Sequence, residues 1–179
     1  MSLARALSML GIRTAHCPSD PKTFSELRRG IYRLSILDEY RGATDTPVAP
    51  YYAQLDRVYP NSKFILTVRE GDSWLHSVAQ HWRSIPEWWR EGSYMRNVSD
   101  FISACVYGTI DFSPERFVYV YETHVRNVRH YFADRPDDLL ILDICGGEAW
   151  DELCPFLGLS APVEPFPHLN RSVPSPVDA

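Results

Sequence analysis

Lys63-Phe64-Ile65-Leu66-Thr67-Val68-Arg69, followed by Glu70-Gly71-Asp72-Ser73-Trp74-Leu75-His76-Ser77, decides how this chain is read. Phe64 to Val68 is a short apolar run without helical period, bounded by Asn61-Ser62 before it and Glu70-Gly71-Asp72 after it. Such a run predicts a strand covered on both faces, the usual kind in a parallel sheet. Trp74, Val78, Trp82 and Ile85 then recur at helical spacing, so strand, arginine, turn and helix follow in order. Ligands of open α/β sheets collect at the carboxyl ends of strands. A guanidinium there, with a serine hydroxyl one or two turns into the next helix, can meet an anionic oxygen from two directions. A strand-end arginine in an ordinary salt bridge is the competing explanation.

The rest of the chain bounds the answer. At 179 residues it is long enough for a single domain with a sizeable core, and its 45% apolar and 13% aromatic content belongs to a folded protein. The net charge of −5, without any Lys/Arg run, argues against a nucleic-acid or anionic-membrane surface. Cys17, Cys105, Cys145 and Cys154 have no paired CxxC spacing, and no leader pattern precedes them, so free thiols in a reducing, cytoplasmic compartment are expected. No apolar run approaches the length of a membrane span.

Taken in order, Ser2 to Leu10 reads as a helix with Leu3, Leu7 and Leu10 on one face, stopped by Gly11. Ile12 to His16 reads as a short strand, Thr23 to Arg29 as a short helix and Ile31 to Tyr40 as a helical connector. Ala43-Thr44-Asp45-Thr46 is a polar turn, and Pro47 is placed to open a helix running to Tyr59. Helices follow over Val98 to Gly108, from Ser113-Pro114 to about Phe132, and over Glu148 to Phe156, with a second buried strand at Leu139 to Asp143. Strands alternating with helices predict a three-layer α/β/α fold with a mostly parallel sheet, over residues 1–160. A proline-rich tail occupies residues 161–179.

Four features could carry chemistry. Arg69 and Ser77 lie eight residues apart across the strand-to-helix turn. Asp45 sits among small residues at a strand's end, either as a helix cap or as a carboxylate able to take a proton from a hydroxyl. His16 closes the second segment, where a structural role is the commoner one. Phe166-Pro167-His168-Leu169-Asn170-Arg171 gathers three polar side chains in the tail. Gly146-Gly147 is a weak anion-binding signal without an accompanying lysine. The remaining histidines lack zinc spacing, and no GxSxG elbow occurs.

Together these residues resemble the sulfotransferases that use 3′-phosphoadenosine 5′-phosphosulfate, and more narrowly a bacterial branch of that P-loop-like family. In that family a strand ending in Arg, then a turn and a helix with Ser eight residues on, holds the nucleotide's 3′-phosphate. Leu66-Thr67-Val68-Arg69 with Ser77 matches it. A Lys-Thr-His-x-Pro turn of cytosolic members carries the catalytic base, and the corresponding Ala43-Thr44-Asp45-Thr46-Pro47 puts Asp45 at that place. Leu139 to Asp143, with Trp150 to Leu159, is similar to the family's late strand and its Phe-Leu-Gly-Leu helix end.

The resemblance implies transfer of a sulfonate to a hydroxyl or amine of a small-molecule or carbohydrate acceptor. It implies Asp45 as base, Arg69 and Ser77 as cofactor ligands, and no metal. It leaves the oligomeric state open. It also carries a departure. The family's first strand and its Gly-rich loop, whose backbone N–H groups hold the phosphosulfate, have no counterpart ahead of Ser2. The reading therefore expects a chain lacking that element and of little activity as it stands, with Ser2 as the loop's remainder. A non-catalytic module keeping part of the nucleotide pocket is the alternative. A nucleotide kinase would need a Gly-Lys-Ser/Thr loop, which is absent from the sequence. The Trp88-Trp89 segment is the expected wall of the acceptor pocket.

Overall fold

The computed structural model describes residues 1–84, 92–146 and 149–169. The expectations placed on Trp88-Trp89, on Gly147 and on Asn170-Arg171 lie outside those residues. Among the described residues the chain is mixed α/β, with seven helices and four short strands. All strand pairing is parallel, but in two separate two-stranded sheets and not in one continuous sheet. β1 (Thr14–His16) pairs with β2 (Gly42–Thr44), and β3 (Phe64–Thr67) pairs with β4 (Leu139–Leu142).

The first helix, α1 (Ser2–Met9), ties the two sheets together. It rests on β1 and β2. Its Ala6 and Leu7 share a core with Leu142 of β4 and with Ala149 and Leu153 of α7 (Ala149–Leu157). Fully burying a leucine such as Leu142 or Leu153 contributes about 1.5–3 kcal/mol, so this cluster supplies much of what holds the sheets in register. Phe166, 7% exposed, completes it from the C-terminal segment, its ring edge-on to Trp150 at 4.8 Å. Trp150 also donates its indole N–H to the Glu164 carbonyl at 3.0 Å. The proline-rich segment is therefore seated on the domain at least as far as Leu169, whose backbone bonds the Ser2 hydroxyl.

Local chemistry explains the departures from the sequence reading. Asp20 caps α2 (Pro21–Arg28) through the backbone N–H groups of Lys22 and Thr23. Beyond it, Ile31 to Tyr40 is not helical apart from one 3-10 turn at Ser35–Asp38. Gly30 takes a positive φ of 68°, which ends the preceding helix. The Glu26 carboxylate accepts from Ser35 N–H, and Leu34 is fully buried, so packing and not periodicity sets this path. Pro47 does not open a helix. A 3-10 turn at Ala49–Tyr51 leads into α3 (Tyr52–Val58).

The second sheet is backed by α6 (Pro114–Tyr131), whose Val128 shares a core with Leu66 of β3, and α6 packs in turn on α4 (Gly71–Arg83). Between them and α5 (Tyr94–Tyr107) lies an aromatic core, with Tyr107 and Phe117 stacked at 3.7 Å and Trp82 edge-on to Phe117. Gly108, φ 71°, ends α5 in the left-handed conformation that a side chain would strain.

Asp56 of α3 joins this half through Arg135, at 2.8 Å, and through the Tyr131 hydroxyl, at 2.8 Å. The Arg135 hydrogen bond first, and that of Tyr131, hold its carboxyl below the usual carboxylate range. A depressed folded pKa stabilises the fold above the unfolded value, about 3.9, and that contribution is lost as pH falls through the folded value. Asp56→Asn is therefore expected to lower the urea midpoint at neutral pH, with the gap to wild type closing in acid below the carboxylate range.

Candidate functional site

Arg69 stands where β3 ends, two residues beyond Thr67. Its backbone is clamped by Tyr121 of α6. The Tyr121 hydroxyl accepts from Arg69 N–H at 2.9 Å and donates to the Arg69 carbonyl at 2.8 Å. One side chain thus satisfies both main-chain groups that a strand end would otherwise leave unpaired. The Tyr121 ring stacks on Trp74 of α4, centroids 4.3 Å apart and planes within 14°. The turn itself is fixed by Glu70, whose carboxylate oxygens accept from Asp72 N–H at 2.9 Å and Ser73 N–H at 2.8 Å. These two N–H groups hold the Glu70 carboxyl below its usual range, so this acid is committed to capping α4.

What remains at the turn is a held arginine. Among the described residues the Arg69 guanidinium has no hydrogen bond or ion pair. This removes the ordinary salt bridge that would have explained it. It lines an open cavity of about 590 Å3 with Val68, Tyr121, Arg126, Arg129 and Asp143, among others. Arg126 donates to the Thr123 hydroxyl at 3.1 Å. Three arginines, one just beyond β3 and two on α6, therefore line one cavity at the carboxyl end of a parallel pair, together with the acidic Glu70, Glu122 and Asp143. Ser77 lies half-buried on α4, two turns in, and does not line that cavity. Tyr121, Arg126 and Arg129 escaped the sequence reading because they arrive from a helix some fifty positions later, with no local pattern to flag them.

The second cluster forms where the first sheet ends. β1 and β2 are paired in register, His16 against Thr44, and Cys17 N–H continues the ladder to the Thr44 carbonyl. Both chains then turn through a left-handed residue that is not glycine, Cys17 at φ 49° and Asp45 at φ 87°. Conformations of that kind cost of order 1–3 kcal/mol and concentrate at functional sites. The double turn brings side chains together. His16 Nε2 lies 3.4 Å from Asp45 Oδ2, and His16 Nδ1 lies 3.1 Å from Thr44 Oγ1. Asp45 Oδ1 accepts from Thr46 N–H at 2.7 Å and from the Thr46 hydroxyl at 3.2 Å. The Asp45 carbonyl accepts from Val48 and Ala49 N–H, so its main chain starts the next turn while its side chain stays about one-third exposed.

The electrostatics favour one assignment of roles here. Burial first, then the Met1 α-ammonium, push the His16 imidazole below its ordinary value, against an upward pull from Asp45. Burial, then Asp45, push the Cys17 thiol up to about 11, so it is no thiolate nucleophile at neutral pH. Burial, then Asp45, push Tyr107 up to about 12. Asp45 is the anionic centre of this group.

Ser2 opens α1, with its hydroxyl on the backbone of Leu169: it accepts from Leu169 N–H at 3.0 Å and lies 3.4 Å from the Leu169 carbonyl. No hydrogen bond links it to Asp45 or Arg69. His168 is exposed, its ring 6.2 Å from Phe166. The four cysteines are unpaired thiols, and no group of three or more potential metal ligands occurs among the described residues. No described helix is long and apolar enough to cross a membrane.

Two comparisons bear on these clusters. A curated protein of Aspergillus versicolor, "Ava biosynthesis cluster protein M", is 28% identical over 151 residues, covering 76% of this chain and 56% of its own length. The chain thus spans little more than half of that relative. The model of the sulfotransferase domain matches residues 1–173, taking in both strand ends, the α4 turn and the seated C-terminal segment. On that match the chain belongs to the sulfotransferase domain family.

Proposed function

We propose that this chain transfers a sulfonate group from 3′-phosphoadenosine 5′-phosphosulfate to a hydroxyl or amine of a small-molecule or carbohydrate acceptor. The observation that carries the reading is Arg69, held by Tyr121 through both its backbone groups while its guanidinium makes no hydrogen bond or ion pair among the described residues, Glu70 being a charge neighbour only. In this reading Arg69 and Ser77 take the 3′-phosphate; Arg126 and Arg129 line the cavity beside Arg69, where Glu70, Glu122 and Asp143 balance their charge. Asp45, kept in place by Thr46 and His16, takes the proton that the acceptor gives up as its oxygen or nitrogen bonds to sulfur, while the S–O bond to the 5′-phosphate breaks and adenosine 3′,5′-bisphosphate leaves with that electron pair.

Ser2, at the start of α1, is the proposed contact toward the phosphosulfate end, which requires its bond to Leu169 to open. The parallel pairs β1–β2 and β3–β4, with helices packed against them, support a three-layer, P-loop-like arrangement. Residues 1–160 would be its catalytic domain, with residues 161–179 as a C-terminal extension. Free thiols and the acidic composition are consistent with a cytoplasmic setting.

Two assays on the full chain test this. Calorimetric titration with adenosine 3′,5′-bisphosphate is expected to give saturable binding. ³⁵S transfer from the labelled donor to a panel of alcohols, sugars and amines is expected to label at least one class. Binding without transfer to any acceptor would assign the chain to the second reading, a nucleotide-binding module. Absence of both would overturn the proposal.

A further inference from the structure

We infer that His16 is a positioning residue for Asp45, present as the neutral tautomer that carries its proton on Nε2. This rests on the reading of Asp45 as the general base. The two ring nitrogens are both occupied: Nε2 by Asp45 Oδ2 at 3.4 Å and Nδ1 by Thr44 Oγ1 at 3.1 Å. Both nitrogens face side-chain oxygens of the same turn pair, which places His16 to act through Asp45. A carboxylate has only lone pairs to offer, and a bare ring nitrogen facing it would be repelled; the proton between them sits on Nε2. Nδ1 is then the acceptor, and the Thr44 hydroxyl, which has no other hydrogen bond among the described residues, is its donor.

The result is a directed chain. Thr44 O–H donates to His16 Nδ1, His16 Nε2–H stands 3.4 Å from Asp45 Oδ2 in a charge–dipole contact, and Thr46 donates twice to Asp45 Oδ1. Two hydrogen bonds from Thr46 and the His16 contact thus hold a carboxylate whose backbone is already in the left-handed region, φ 87°. A side chain held from both oxygens keeps one direction for its remaining lone pairs, which is what proton abstraction from a positioned hydroxyl requires. The two left-handed turns, Cys17 after β1 and Asp45 after β2, are the backbone device that brings the ring and the carboxylate together.

The arrangement is sensitive to pH in a defined sense. A second proton on the ring goes to Nδ1, which turns Thr44 from donor to acceptor and sets a full positive charge against Asp45. A neighbouring cation lowers the basicity of a carboxylate, so turnover falls as the ring charges. The charged and titratable groups facing the pair are few. Among the described residues they are Cys17 and Tyr107 of α5, with the Met1 α-ammonium at the start of α1 as a further charge. Cys17 stays a thiol and Tyr107 stays neutral below about pH 7, so neither supplies a charge change there.

The test combines ring ¹⁵N spectra of the full chain with kcat against pH. Wild-type His16 is expected to show a protonated Nε2 and an unprotonated Nδ1 at neutral pH, and Asp45→Asn is expected to abolish that preference. His16→Ala is expected to lower kcat about 10- to 100-fold, the size seen when an outer hydrogen-bond partner is removed, with KM for the nucleotide within about twofold. His16→Gln keeps an N–H donor and is expected to recover part of kcat while losing the acid limb that belongs to the ring. An Nδ1–H tautomer, wild-type kcat in His16→Ala, or an unchanged acid limb in His16→Gln would each overturn the inference. Wild-type protein that transfers no sulfonate to any acceptor would instead sink the functional reading, while the ring spectra still decide the tautomer.

Discussion

Asp45→Asn is expected to reduce kcat by about 10²- to 10⁴-fold, the range a positioned general base supplies. Affinity for adenosine 3′,5′-bisphosphate is expected to stay within about twofold of wild type. The amide keeps the size of the carboxylate and can still accept from Thr46 N–H through its oxygen, so the turn after β2 keeps its shape. What it loses is the basic lone pair. The split between turnover and binding is the informative part, since Asp45 lies at the end of the first sheet and Arg69 at the end of the second. Loss of nucleotide affinity together with turnover would make Asp45 a structural residue of that turn. Single-turnover kinetics and calorimetry on the same preparation separate the two outcomes.

Arg69→Ala is expected to act on the other quantity. A hydrogen bond to a charged group contributes about 1.5–3 kcal/mol, so removing the guanidinium should weaken bisphosphate binding about 10- to 150-fold. The fold should tolerate the change. The Tyr121 clamp is made to the Arg69 backbone, which alanine retains, and no ion pair is broken because the guanidinium has none among the described residues. The wild-type affinity should also fall with added salt, as a phosphate held by arginines requires. Unchanged affinity in Arg69→Ala, with an unchanged unfolding midpoint, would remove the end of β3 from the site.

Parts of this molecule were legible in the sequence for clear reasons. β3 and α4 were visible because a five-residue apolar run and a helical repeat flank a polar turn, and Glu70 supplies the cap that starts the helix. β4 and α7 follow the same logic, with Gly158 closing α7 at φ 66°. Where tertiary contacts decide, the pattern misled. Ile31 to Tyr40 has a helix-like apolar pattern, but burial of Leu34 and the Glu26–Ser35 bond hold it almost entirely outside helical structure. The start of α3 lies further on than Pro47 implied, because Asp45 takes a left-handed turn that no residue-type rule assigns to aspartate at that place.

The site divides in the same way. Arg69 and Asp45 could be picked out one at a time, as charged residues following strands. Their supports could not. Tyr121 reaches Arg69 from 52 residues away on a helix packed against the second sheet, and Thr44 meets His16 from 28 residues away because β1 and β2 pair in parallel. His16 looked like an isolated histidine in sequence and is the neighbour of Asp45 in space. Parallel strands need long connections, so their ends assemble from residues that no local window contains.

The most direct test of the central claim, that the end of β3 grips a 3′-phosphate, is a paired titration. Adenosine 3′,5′-bisphosphate and adenosine 5′-monophosphate differ only in that phosphate. Wild-type protein is expected to prefer the bisphosphate by at least about tenfold, the worth of about one charge-assisted hydrogen bond, and Arg69→Ala is expected to bind the two nearly alike. Equal affinity of the wild-type chain for the two nucleotides, or a preference that survives in Arg69→Ala, would contradict the account.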